Sequence, residues 1–248
     1  MKKILICGFP HSGTSILKSI IGHCNNVYEI YDETHKITNE IIENNELVVN
    51  EKKHLVDNDI NTAEYILIKH PFTLKQFFDE TNDYIKIFIM RNPLWVYSSL
   101  NRRFNNDIAR KDCKLDAYLN TLELFSKYYN TNYANIYTIK YEEMFENNYY
   151  KLKDILNGIG LKYNDDIFDN SKYHNIIKSY VKNIPKEMPL HTDQINYRTY
   201  QINQKFTNNN DEKKIKNLPR PYILSIVNNR LINKIYPNIK LHIHPNLL

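Results

Sequence analysis

Ile4-Leu5-Ile6-Cys7-Gly8-Phe9-Pro10-His11-Ser12-Gly13-Thr14-Ser15-Ile16-Leu17 is a short apolar run, a loop with two glycines, and a hydroxyl-rich entry to a second apolar stretch. The spacing predicts a strand over 2–8 and a helix over about 14–24, joined by a tight loop. The chain has only 5 glycines, and Gly8 and Gly13 both fall in this loop. Without a Cβ, glycine lets backbone amides curl inward around an anion. Thr14 and Ser15 then open a helix whose exposed N–H groups and dipole favour negative charge. An ordinary strand-to-helix turn with convenient glycines is the bland alternative. An ATP or GTP P-loop requires Gly-Lys-[Ser/Thr], its lysine reaching the β- and γ-phosphates. Here Ser12-Gly13-Thr14-Ser15 has no lysine after the glycine, which counts against a Walker-type site.

Further along, short apolar strands alternate with helical patterns. A strand over 64–68 leads to Lys69-His70-Pro71 and a short helix over 73–80. A strand over 85–90 runs into Arg91-Asn92-Pro93 and a helix to about 104. A helix over about 114–130 carries Leu115, Leu119, Leu122 and Phe125 at helical spacing, a core stripe. A strand over 135–140 precedes Tyr141-Glu142-Glu143-Met144, and a helix over 149–157 ends at Gly158 and Gly160. Residues 25–63 read as polar and mixed, with a helix around 35–45. Beyond 165 the pattern weakens, with a last helix near 222–233. The expected class is α/β: a P-loop-type parallel sheet flanked by helices. A single domain over 1–248 is expected, with its core in about 1–160. A helical, irregular C-terminal third, about 161–248, would cap the site. Ligands of such sheets collect at the carboxyl ends of the strands. The 8–15 loop, Lys69 and Arg91 all fall there, so a convergent cationic crevice for an anion is predicted.

The 33 basic and 28 acidic residues give a formal charge of +5 over 248 residues. That surplus suits a small anionic ligand and is too slight and scattered to argue for nucleic acid. Cys7, Cys24 and Cys113 lack metal-ligand spacing and are odd in number, as expected of reduced thiols in a cytoplasmic protein. No metal site is expected. No stretch approaches the roughly 18 consecutive apolar residues of a membrane span. The N-terminal apolar run stops at Gly8-Phe9-Pro10 and reads as a strand, not a signal peptide. Runs such as Asn208-Asn209-Asn210 read as coding bias.

Arg91 closes an apolar strand, and Ser99 lies eight positions on, beside Ser98, in the helix that follows. A strand-end guanidinium and a helix hydroxyl at that spacing can meet one phosphate, which arginine binds through a planar, permanently charged fork. A surface ion pair and an exposed serine are the alternative. Loop and Arg/Ser pair together resemble the sulfotransferases that use 3′-phosphoadenosine-5′-phosphosulfate (PAPS). Their 5′-phosphosulfate loop reads Pro-[Lys/Arg]-Ser-Gly-Thr-[Thr/Ser], and their 3′-phosphate motif is an Arg with a Ser eight positions on. Pro10, Ser12, Gly13, Thr14 and Ser15 match, whereas His11 stands where the family has a cation. Lys69-His70-Pro71-Phe72 is similar to the Lys-Asp-Pro-Phe segment of tyrosylprotein sulfotransferases, whose lysine approaches the sulfate-bridging oxygen. Tyr31-Asp32-Glu33-Thr34-His35 resembles their Glu-Glu-Thr-Arg segment, which carries the proposed base. Glu33 takes that position, with Asp32 and His35 as competitors, since histidine titrates closest to neutral pH. Tyr141-Glu142-Glu143-Met144 resembles the region after the fourth strand and speaks to fold more than chemistry. The resemblance runs in order through about residue 160. Beyond it, Arg198 and Lys205 could close over a nucleotide or be exposed charge.

The resemblance implies transfer of a sulfuryl group from PAPS to a hydroxyl or amine of a small-molecule, glycan or peptide-tyrosine acceptor. Glu33 would act as base; Lys69 and His11 would stand at the reacting phosphosulfate. Pro10, His11, Ser12, Gly13, Thr14 and Ser15 would cradle the 5′ side, and Arg91 and Ser99 the 3′-phosphate. A neutral imidazole donates a hydrogen bond without adding charge. Activity is therefore expected either to favour mildly acidic pH through His11 or to lean on Lys69. A nucleotide or nucleoside kinase, or a non-catalytic nucleotide-binding protein, are the competing classes.

Overall fold

Period-two alternation along five short strands gives the sheet two apolar faces, and helices cover both. The computed structural model describes residues 1–51, 59–71, 75–103, 113–169, 206, 208, 210–243 and 245. The strands are β1 (Lys2–Gly8), β2 (Val27–Glu33), β3 (Tyr65–His70), β4 (Ile85–Met90) and β5 (Ile136–Lys140). They form one sheet in the order β2-β3-β1-β4-β5, every pair parallel. The helices begin with α1 (Thr14–Gly22), α2 (Asn39–Glu51), α3 (Lys75–Glu80), α4 (Pro93–Arg103) and α5 (Leu115–Tyr128). The helices α6 (Tyr141–Met144), α7 (Tyr150–Ile159), α8 (Arg220–Val227) and α9 (Arg230–Ile235) follow.

On one face Ile4, Ile6, Leu67, Ile87 and Ile139 pack on Leu17, Ile20 and Ile21 of α1 and Leu152 and Leu156 of α7. On the other, Leu5, Cys7, Ile68, Phe88 and Met90 pack with Leu94 and Val96 of α4, Leu122 and Phe125 of α5, and Ile223, Ile226 and Ile232 of α8 and α9. Side chains from 215–243 thus share a core with the sheet. The three cysteines are buried thiols, and burial pushes that of Cys24 up to about 12, away from nucleophilic use. Among the described residues, no helix is long and apolar enough to cross a membrane.

Three elements differ from the sequence expectation. Residues 27–33, inside the stretch 25–63 that reads as polar and mixed, form β2. Its alternation of Tyr28 and Ile30 with Glu29 conceals a strand, because Glu29 pairs with the buried Lys18 at 3.3 Å instead of facing water. The helix expected around 35–45 starts at Asn39, where the Thr38 hydroxyl accepts from Ile41 N at 3.2 Å. The last helix is two, because the Asn229 side chain accepts from Ile232 N and caps a fresh start at Arg230. The capping segment expected over 161–248 lies partly outside the described residues.

Candidate active site

The loop after β1 is shaped by two backbone demands. Gly13 has φ +95°, and a Cβ on it would lie 2.4 Å from Cδ2 of Tyr141. A Cβ on Gly8 would lie 2.3 Å from the Ile89 carbonyl of β4. His11 also takes a positive φ of 67°, and Ser12 N donates to Phe9 O at 3.1 Å, closing the turn beside the buried Pro10. Helix α1 begins without a side-chain cap and with no acidic residue in its first turn. Its first N–H groups therefore point at the loop with their partial positive charge uncompensated. Ser12 is fully buried, and among the described residues its Oγ has no hydrogen-bond partner. An uncapped helix start and an orphaned hydroxyl fit an anionic group in the loop.

Lys69 is the penultimate residue of β3, beside β2 and in register with Glu33. Registered neighbours on parallel strands face the same side, and Lys69 Nζ lies 2.6 Å from Glu33 Oε1. The same ammonium donates to Ser15 Oγ at 2.9 Å. The Lys69 side chain is 5 % exposed and that of Glu33 40 %, so the pair runs from a buried ammonium to a solvent-accessible carboxylate. His35 turns aside: its Nε2 is 3.7 Å from Glu80, and its ring meets His70 edge-on at 5.0 Å. Burial, with Lys36 adding to it and Glu80 opposing, holds the His35 imidazole below its ordinary pKa. The side chain of Asp32 lies outside the described residues, as do Phe72, Arg198 and Lys205.

Arg91, at the end of β4, lies over the Tyr141 ring, its Cζ 4.2 Å from the centroid. Its Nε and Nη2 donate to Asn210 Oδ1 at 2.9 and 2.7 Å. Asn210 Nδ2 donates to Glu142 Oε1 at 2.9 Å, and that oxygen also accepts from Asn92 N at 3.1 Å. Glu142 Oε2 is shut away without a partner among the described residues, and burial pushes this carboxyl above the usual range. Ser98 turns back on its own helix, donating to Leu94 O at 2.6 Å. Ser99 faces the loop, its Oγ sharing a hydrogen bond with His11 Nδ1 at 2.7 Å.

The expected residues thus gather around one loop. Ser99 reaches it through His11, Lys69 through Ser15, and Arg91 through the Tyr141 ring packed on Gly13. Two members of this cluster lie outside the sequence-based expectation: Tyr141, whose segment speaks to fold more than chemistry, and Asn210, in a run that reads as coding bias. Tyr141 follows a strand end directly, the same positional signal that picked out Lys69 and Arg91. Asn210 gave none, lying 119 residues from its partner. Among the described residues, no three His, Cys, Asp or Glu side chains converge to hold a metal ion.

The chain matches the sulfotransferase domain family over residues 1–223. Among solved structures, mouse sulfotransferase SULT7A1 complexed with PAP is similar at 18% identity and a TM-score of 0.48, over 96% of this chain and 88% of that one. The sulfotransferase domain of the Synechococcus PCC 7002 olefin synthase shows 16% identity and a TM-score of 0.48, over 68% and 76% of the two chains. Retinol dehydratase, in complex with androsterone and the inactive cofactor PAP, shows 12% identity and a TM-score of 0.47, over 99% and 84%. No curated protein matches.

Proposed function

The chain belongs to the sulfotransferase domain family, and we propose that it moves a sulfuryl group from PAPS to a hydroxyl or amine of an acceptor. One observation carries the reading: Lys69 Nζ lies 2.6 Å from Glu33 and 2.9 Å from Ser15. A proton acceptor and the phosphate-binding loop are therefore separated by a single ammonium group. Sulfuryl transfer, like phosphoryl transfer, asks for alignment and charge stabilisation more than covalent help.

When bound, PAPS supplies the activated sulfuryl group and a phosphate leaving group. Glu33 takes the acceptor proton on its solvent-accessible carboxylate. Lys69 Nζ, the hydroxyls of Thr14 and Ser15, and the opening N–H groups of α1 stabilise charge on the leaving oxygen. Pro10, Ser12 and Gly13 hold the loop in its curled form. Arg91 and Ser99 anchor the 3′-phosphate, and His11, bonded to Ser99, ties that anchor to the loop. The chain works as one domain, a reading supported by the core that runs from Leu5 to Ile243. Its three buried thiols accord with a cytoplasmic setting.

Calorimetry with adenosine 3′,5′-bisphosphate and with Mg-ATP, followed by sulfate transfer from PAPS to phenols, sugars and tyrosine peptides, tests the proposal. The bisphosphate binds, Mg-ATP does not, and at least one acceptor is sulfated. Glu33→Gln lowers the transfer rate by about 10²–10⁴-fold, the range of a lost general base, while bisphosphate binding persists. Absence of bisphosphate binding by the wild type overturns the reading.

A further inference from the structure

Arginine at an anion site must be held in place without being neutralised. A carboxylate bonded to the guanidinium would fix it well but would already satisfy its charge, and a phosphate would then have to displace it. Arg91 is held differently. Below it lies the Tyr141 ring, its own carbonyl accepts from Tyr118 OH at 2.8 Å, and one edge of its fork meets Asn210 Oδ1. The carboxylate of Glu142 enters only at one remove, through Asn210 Nδ2 at 2.9 Å.

The direction of this relay follows from chemistry. A guanidinium can only donate, and Glu142 Oε1 presents an acceptor that also takes Asn92 N, so an amide between them has one satisfying orientation: oxygen to Arg91, nitrogen to Glu142. Glu142 is itself fixed by Asn92 N at 3.1 Å, from the residue that follows Arg91. Among the described residues, Arg91 Nη1 has no hydrogen-bond partner, so the far edge of the fork remains for a ligand.

We propose that Asn210 is a positioning residue: an uncharged spacer through which Glu142 orients Arg91 while the guanidinium keeps its charge for the 3′-phosphate of the donor. The proposal rests on the donor reading above and adds to it a specificity-determining residue from the C-terminal part of the chain.

Asn210→Asp places a carboxylate in the fork at unchanged size, whereas Asn210→Ala removes the positioning contact and leaves the charge. Both variants and the wild type are titrated by calorimetry with adenosine 3′,5′-bisphosphate and with adenosine 5′-monophosphate, which lacks the 3′-phosphate. Asn210→Asp weakens bisphosphate binding about tenfold or more, the scale of a lost hydrogen bond to a charged group, and leaves the monophosphate unchanged. Asn210→Ala weakens bisphosphate binding less. Thermal unfolding near the wild-type temperature confirms that each variant is folded. Wild-type bisphosphate affinity in Asn210→Asp, or a parallel loss for both nucleotides, overturns the spacer role and leaves the donor reading standing. A wild type that binds no bisphosphate overturns both.

Discussion

Glu142 shows how a single residue can serve a site at a cost to the fold. Its carboxyl is buried, one oxygen is unpartnered among the described residues, and burial raises its pKa. A raised folded value means that the native state holds this proton more tightly than the unfolded chain does. The favourable contribution is complete below the ordinary carboxyl value of about 4.3 and is lost as pH rises through the folded value. Glu142→Gln keeps an oxygen to accept from Asn92 and Asn210 and has no charge to desolvate. Its melting temperature relative to wild type is therefore higher near pH 7.5 than near pH 4, as thermal unfolding at the two pH values measures. An identical difference at both would show that Glu142 does not ionise at a cost. None of this was visible in Tyr141-Glu142-Glu143-Met144, because an acidic pair after a strand normally faces water. His11 is the opposite case. The mismatch with a Lys/Arg position was plain in the sequence, and the structure adds that its imidazole is engaged with Ser99 at 2.7 Å.

At the scale of elements, the β1–α1 loop has two glycines with different work. The missing Cβ of Gly8 lets β1 approach the backbone of β4, where the obstacle would be Ile89 O at 2.3 Å. A carbonyl in a parallel ladder cannot swing aside, so Gly8→Ala strains the sheet and destabilises by about 1–3 kcal/mol, the usual cost of overpacking. The obstacle at Gly13 is the Tyr141 ring at 2.4 Å, and that ring supports Arg91. Gly13→Ala adds the left-handed penalty of about 1–2 kcal/mol and tilts the platform under the guanidinium. Urea unfolding and bisphosphate titration should rank the two differently, with Gly8→Ala the poorer in stability relative to its effect on binding and Gly13→Ala the reverse. The same ratio of the two losses in both variants would argue against a platform role for Tyr141. The loop and strands β1, β3, β4 and β5 were legible because each joins an apolar run to a punctuating Gly, Pro or charge. Strand β2 was not, because its acidic positions look solvent-facing until Lys18 and Lys69 are placed opposite them.

For the whole molecule, the site is assembled from chain segments that sequence spacing cannot relate. His11 meets Ser99 across 88 residues, and Arg91 meets Asn210 across 119. Strand-end rules locate His11 and Arg91 because topology brings every β-strand's carboxyl end to one edge, and the eight-residue step from Arg91 locates Ser99 on α4. They are silent about Asn210, whose position depends on how the C-terminal segment packs. That segment continues into a 3-10 turn, Glu212–Asn217, which docks on α4 where Asn101 Nδ2 donates to Asn217 O at 2.7 Å. Under the proposed donor reading, a nucleotide bridging the 8–15 loop and Arg91 would tie the sheet edge to the C-terminal helices. At a hundred times its dissociation constant a native-state ligand stabilises by about 2.7 kcal/mol, which for a chain of this size raises the melting temperature by about 5–10 °C. Adenosine 3′,5′-bisphosphate should produce that rise and Mg-ATP should not. Hydrogen exchange on the same complex should slow at 9–15, at 91–92 and also at 210–217, since ordering Arg91 orders the segment that holds it. Protection confined to the 9–15 loop, with 210–217 exchanging as in the ligand-free protein, would mean that the C-terminal segment is a bystander rather than part of the donor site.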